Sequence, residues 1–166
     1  MTAATKLPAI RVFEEFLFRQ ADLLDRRLWD AWMELFADDG VYWIPLKEEQ
    51  QDAENYPSIF FEDKALMAAR VGRLRDANAW GQQPLTRTSH LISNVRLDDG
   101  ADRRDGEIVV RSNFTMAEFR RDVLRHHAGS YTHHLRRVRG GFKIALQRVD
   151  LINADGIHEY NLQVFF

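Results

Sequence analysis

The spacing of hydrophobic residues changes part-way along the chain. In the first third they recur at steps of three and four: Ile10, Phe13, Leu17, Ala21, Leu24 and Leu28 fall on one stripe of a helix. Pro8 stands where a first-turn proline belongs. A second, short helix is predicted through Leu28, Trp29, Trp32, Leu35 and Phe36, stopped by ADDG (37–40) with Gly40 as a left-handed cap. VYWIPL (41–46) is aromatic and β-branched and predicts a strand, with Pro45 at an edge or an end. The polar run 47–57 predicts a loop. Residues 62–76 predict a third helix with Leu66, Met67, Val71 and Leu74 inward, and 77–85 a further loop.

From Arg87 onward every segment reads as strand. RTSHLISNVRL (87–97), EIVVRSNFTMAEF (107–119), SYTHHLRRV (130–138) and GFKIALQRVDLI (141–152) are the predicted strands. A polar turn, DDGADRRDG, separates the first two, and Gly140 with Gly141 marks a tight hairpin between the last two. NADG (153–156) is another turn. The segment 158–166 ends in apolar residues that should be buried in the domain or in a subunit contact. Helices first and antiparallel strands after predict one α+β domain over residues 1–166. Three helices on one strongly curved sheet would form a half-open cone, and strands this long need bulges to curve so far.

Composition supports one domain with a bulky core: 166 residues, 45% hydrophobic, with 11 Phe and 4 Trp. The formal charge of −2 leaves no basic excess for a nucleic-acid backbone. Two arginine clusters, Arg120, Arg121 and Arg125, then Arg136, Arg137 and Arg139, read as solvated strand ends or protein contacts. The absence of cysteine removes disulfides, thiolate chemistry and Cys-ligated zinc or iron–sulfur clusters from this chain. The first residues carry no apolar core of signal-peptide length, and no window is apolar enough for a membrane span. The expectation is a soluble, cytoplasmic protein.

The candidate chemistry is sparse. Six histidines are scattered at 90, 126, 127, 133, 134 and 158. His133 and His134 point to opposite faces of a strand and cannot share a metal side by side. His126 and His127 lie near a predicted strand end and read as exposed. No metal-ligand spacing appears, so no residue is assigned to a metal or cofactor. His90 is sharper: with Asn94 it would face into the cone. It reads either as a core histidine bonded to a helix carboxylate, or as an acid–base partner of Asp25, Asp38 or Asp39. Asp38 and Asp39 also fit ordinary turn chemistry. Trp29, Trp32, Phe36, Tyr42 and Trp43 fit a core better than an aromatic-ligand platform.

Two stretches carry a family resemblance. WDAWMELFADDGVYWIPL (29–46) and WGQQPLTRTSHLISNVRL (80–97), with Trp80, Pro84, Arg87, His90, Ile92, Ser93, Asn94 and Val95 in order, resemble the small (beta) subunit of aromatic-ring-hydroxylating dioxygenases. FEEFLFRQADLLDRRLW (13–29) and KIALQRVDLIN (143–153) fit as well. The pattern is more similar to the branch acting on aromatic acids. The resemblance implies the cone-shaped, cystatin-like fold shared with nuclear transport factor 2, ketosteroid isomerase and scytalone dehydratase. It also implies a non-catalytic chain, homotrimeric within an α3β3 hexamer. The large alpha subunit of that assembly holds a Rieske [2Fe–2S] centre and a mononuclear iron, fed from NAD(P)H through a reductase.

On this reading Arg87 and His90 fill a polar interior, with Arg87 paired to Asp25 or Asp30. Trp32, Phe36 and Leu91 would plug the cone. Arg111, Arg137 and Arg148 would reach Asp98, Asp99 and Glu118 of neighbouring copies. The rival readings are a free-standing dehydratase or isomerase using His90 with an Asp such as Asp38, and a binding module for an aromatic ligand.

Overall fold

The computed structural model of the chain describes residues 8–166 except 81, 82, 103, 105 and 159. The predicted leader-free start (1–7), and parts of the loop at 77–85, the turn at 98–106 and the segment from 158, lie outside the described residues. Helix α1 runs Ile10–Asp25 and buries Phe13, Leu17, Ala21 and Leu24, four of the six stripe residues. Ile10 and Leu28, at the two ends of the stripe, are exposed. Helix α2 is a single short turn, Trp29–Met33, with both tryptophans buried.

Strand β1, Phe36–Pro45, absorbs the ADDG sequence instead of being preceded by it. Phe36 pairs with Ile144, and pairing resumes only at Val41 with Leu146, so the ladder bulges between them. Gly40 is therefore no left-handed cap. It is needed because a Cβ there would lie 2.7 Å from the Ile144 carbonyl oxygen. Strand β2, Ser58–Glu62, falls where no strand was predicted. Helix α3, Lys64–Arg75, starts at Asp63, whose side chain accepts from the Leu66 amide at 2.9 Å. Met67, Val71 and Leu74 point inward as predicted, Leu66 is exposed, and Arg70 takes its place inside.

Strands β3 (Arg87–Leu97), β4 (Glu107–Arg120), β5 (Val123–Val138) and β6 (Gly141–Leu151) follow. The sheet order is β2-β1-β6-β5-β4-β3. All pairs are antiparallel except β1 with β6, which is parallel, so the sheet is mixed where an antiparallel one was predicted. Strand β5 begins seven positions before the predicted Ser130. Its hairpin with β4 turns through Arg121 and Asp122, both left-handed. The Gly140-Gly141 hairpin forms as predicted, both residues having positive φ. Register shifts in β1, β3 and along the β5–β6 pair supply the bends that a curved sheet needs.

The helices and the concave face of the sheet enclose one core. Its fully buried bulk includes Phe13, Trp32, Phe36, Tyr42, Met67, Met116, Leu135, Ile144, Phe165 and Phe166. The apolar segment Val164–Phe166 is thus buried within its own chain. Leu91, expected as a plug, faces outward and is 62% exposed.

Candidate functional site

The geometry that the sequence singled out forms where α1 meets β3. Asp25 is the last residue of α1, and Thr88 and His90 alternate onto the same face of β3. The Asp25 carboxylate accepts from the Thr88 hydroxyl at 2.9 Å, the His90 amide at 2.9 Å and His90 Nδ1 at 2.6 Å. Burial pushes the Asp25 carboxyl up. The hydrogen bonds from His90 and Thr88 outweigh it and hold the group below the usual range. Because the carboxylate only accepts, His90 Nδ1 is the donor, and Nε2 is buried and without a partner among the described residues. The His90 side chain is 1% exposed. None of five surface clefts of about 360 to 560 Å³ is lined by His90 or Asp25.

The other candidates scatter. Asp38 is fully exposed on β1, with Lys64 Nζ 3.7 Å away, and is not brought to His90. Asp39 pairs with Arg136 at 2.6 Å. Asn94 is exposed, because the β3 bulge puts it in a left-handed conformation that turns it off the His90 face. Arg87 is neither buried nor paired to Asp25 or Asp30: it lies over the Phe119 ring at 4.8 Å, while Asp30 binds Arg75. Arg111 and Arg148 are satisfied inside the chain by Asp98 and Asp150. Arg137 sits 6.0 Å from the Phe142 ring centroid, and Asp99 is exposed. Glu118 is bound to His127 at 3.1 Å.

Three buried polar groups were not anticipated. His127 is buried, not exposed, and meets both Glu118 and the Tyr160 hydroxyl, the latter at 2.7 Å. His133 Nε2 donates to the Gln20 carbonyl, Gln20 donates to Gln147, and Gln147 donates to the Phe166 main-chain oxygen. Burial, reinforced by the charge of His134, pushes His133 down to about 3, so this histidine is neutral. Arg70 pairs with Glu62 at 2.7 Å, both nearly sealed, under the rings of Phe165, Phe60 and Tyr42. A signal for Arg70 existed: it occupies the Met67, Val71, Leu74 stripe of α3.

The interior therefore holds several buried polar contacts packed around aromatic bulk, while Trp32 Nε1, His90 Nε2, Ser112 Oγ and His133 Nδ1 find no partner among the described residues. Trp32 contacts Phe36, Tyr42 and Phe165, with ring centroids 5.1, 6.1 and 4.3 Å away. The Phe166 amide donates to the Tyr42 hydroxyl at 2.9 Å, which ties the final segment across the cone. Among the described residues no group of three or more His, Cys, Asp or Glu is placed to hold a metal ion. No helix among them is long and apolar enough to cross a membrane.

Comparison with known proteins supplies the family. The family model described as "Ring hydroxylating beta subunit" matches residues 19–155. A 2-halobenzoate 1,2-dioxygenase small subunit from Burkholderia cepacia is 32% identical over 149 residues, covering 87% of this chain and 88% of that protein. A biphenyl 2,3-dioxygenase beta subunit from Rhodococcus jostii (strain RHA1) is 32% identical over 164 residues, covering 92% and 86%. The crystal structure of a benzoate 1,2-dioxygenase beta subunit from Burkholderia mallei superposes with a TM-score of 0.73 at 26% identity, covering 95% of this chain and all of that one. This chain belongs to the ring-hydroxylating beta-subunit family, the small subunits of aromatic-ring dioxygenases.

Proposed function

We propose that the chain is a non-catalytic, structural small subunit that supports the iron-bearing large subunit of an aromatic-ring-hydroxylating dioxygenase in the cytoplasm, as a homotrimer within an α3β3 hexamer. The observation that carries this reading is the filled cone. The His90 imidazole at the predicted position is sealed against its Asp25 partner, and the space where a substrate would sit holds Trp32, Phe36, Phe165 and Phe166. The donor set points the same way. A Rieske centre takes thiolates and imidazoles, and this chain has no cysteine. Among the described residues no group of His, Asp and Glu fits the mononuclear iron site, so both iron sites are assigned to the large subunit, with electrons from NAD(P)H through a reductase. An aromatic acid is the proposed substrate, supported by the relatives named for 2-halobenzoate and benzoate.

The test is co-expression with a large subunit. The chain should co-purify in a hexamer with iron in the large subunit, and His90→Gln, which keeps a polar group at Asp25, should leave turnover within about twofold while lowering thermal stability. A turnover loss of a hundredfold or more in a correctly assembled hexamer would overturn the structural reading.

A further inference from the structure

Two sets of charges in this chain lack ion-pair partners among its described residues. The first lies at the tip of the β4–β5 hairpin. Arg120, Arg121 and Arg125 open on a cleft of about 390 Å³ that Trp80, Tyr160 and Glu118 also line. Glu118, the one carboxylate in that lining, is already bound to His127. Arg121 bonds only main-chain carbonyls, those of Trp80 and Gln83, and Arg125 lies 4.0 Å over the Tyr160 ring. The Arg120 Nε is buried with no partner. Burial and the neighbouring charges of Arg121 and Arg125 hold its basicity below the usual arginine value. Trp80 stands 87% exposed at the rim. Tryptophan, tyrosine and arginine together are the residue types that dominate protein contacts.

The second set is acidic. On the β1–β2 loop Glu48, Glu49 and Glu54 are exposed and Asp52 is half-buried. The loop is held on a fixed frame. The Gln50 side chain accepts from the Leu46 amide and donates to the Asp52 carbonyl, and Arg148 donates to the carbonyls of Glu48 and Gln50 at 2.6 Å each. A loop ordered beforehand loses little entropy on docking.

Topology places the two sets. In the order β2-β1-β6-β5-β4-β3 the acidic loop belongs to one flank and the basic cleft to the other. Strand β1 runs parallel to β6 and β5 antiparallel to it, so the end of β1 and the start of β5 lie at the same end of the sheet. Opposite charges on opposite flanks at the same end of the sheet suit a head-to-tail contact, the kind that closes into a ring. We infer that the basic cleft at the β4–β5 tip receives the acidic β1–β2 loop of a second copy of this chain, and that three such contacts close the trimer.

This inference rests on the trimer proposed above, and the experiment separates the two. The wild-type chain, alone and with its large subunit, is sized by light scattering beside Arg121→Glu/Arg125→Glu, Glu49→Lys/Glu54→Lys and the chain carrying all four substitutions. Each double variant should fall to monomer mass with an unchanged circular dichroism spectrum, and the quadruple variant should regain the trimer. A wild-type trimer that survives both reversals, or a loss that the quadruple variant does not restore, overturns the contact and leaves the trimer standing. A wild-type chain that is never trimeric overturns both. Should a reversal unfold the chain, the cysteine-free background gives a second measurement. Glu49→Cys with Arg121→Cys, treated with a flexible bis-maleimide, should yield covalent trimers, and monomers alone would refute the contact.

Discussion

At the scale of single residues, the interior is governed by a few buried polar groups held by specific partners. Neutral His133 gives the chain a pH signature. Its folded value of about 3 lies below the usual 6.5, so the unfolded chain binds the extra proton first. Its contribution is complete above pH 6.5 and is lost as pH falls toward 3. The slope is about 1.4 kcal/mol per pH unit at its steepest. Urea midpoints measured between pH 7 and 4 should fall accordingly, and His133→Gln should flatten that slope while lowering the midpoint at pH 7. The Arg70–Glu62 pair makes a different prediction. Arg70→Met strands a buried carboxylate and should destabilise the fold by about 3–5 kcal/mol, whereas Arg70→Met/Glu62→Leu should recover most of that loss in the same denaturation assay. Of these groups the sequence made His90 and its carboxylate partner legible, because alternation on a strand and a helix-end aspartate restrict the choices. It hid His127, because the strand holding it was begun at Ser130. It hid Arg70 and Glu62, because an arginine on an apolar helical stripe reveals no partner until strand and helix are packed together.

At the scale of elements, legibility followed the length of the pattern. Strands β3 to β6 carry 11 to 16 residues each, and their alternation with the Gly140-Gly141 turn was enough to find them. Strand β2 has five residues, too few for a period, and lies between a polar loop and a helix cap. The ADDG error has a physical cause: turn-forming residues also occupy bulges, and only the facing strand tells the two apart. Glycine substitutions test this. Gly40→Ala pushes a methyl group into the Ile144 carbonyl and should destabilise the fold by about 1–3 kcal/mol. Gly72→Ala, in helix α3 with nothing within 4 Å of the added carbon, should stabilise it by up to about 1 kcal/mol. Thermal melts of the two variants side by side should therefore move in opposite directions.

At the scale of the whole molecule, the cone is closed by the segment that crosses it. Phe165 touches Trp29, Trp32, Tyr42 and Arg70, which come from three separate elements. Phe165→Ala should therefore cost about 3–5 kcal/mol and, on the structural reading, lower the yield of assembled oxygenase with little change in turnover per intact complex. The single parallel pairing, β1 with β6, has a consequence of another kind. It stitches Phe36–Trp43 to Ile144–Arg148, some hundred positions later, in the middle of the sheet. Strand β2 can pair with only one edge of β1, so during synthesis the other edge waits without its ladder partner for a late neighbour. Such a wiring diagram favours slow, all-or-none maturation, and a cell making this polypeptide should need holdase chaperones most while ribosomes are still translating it.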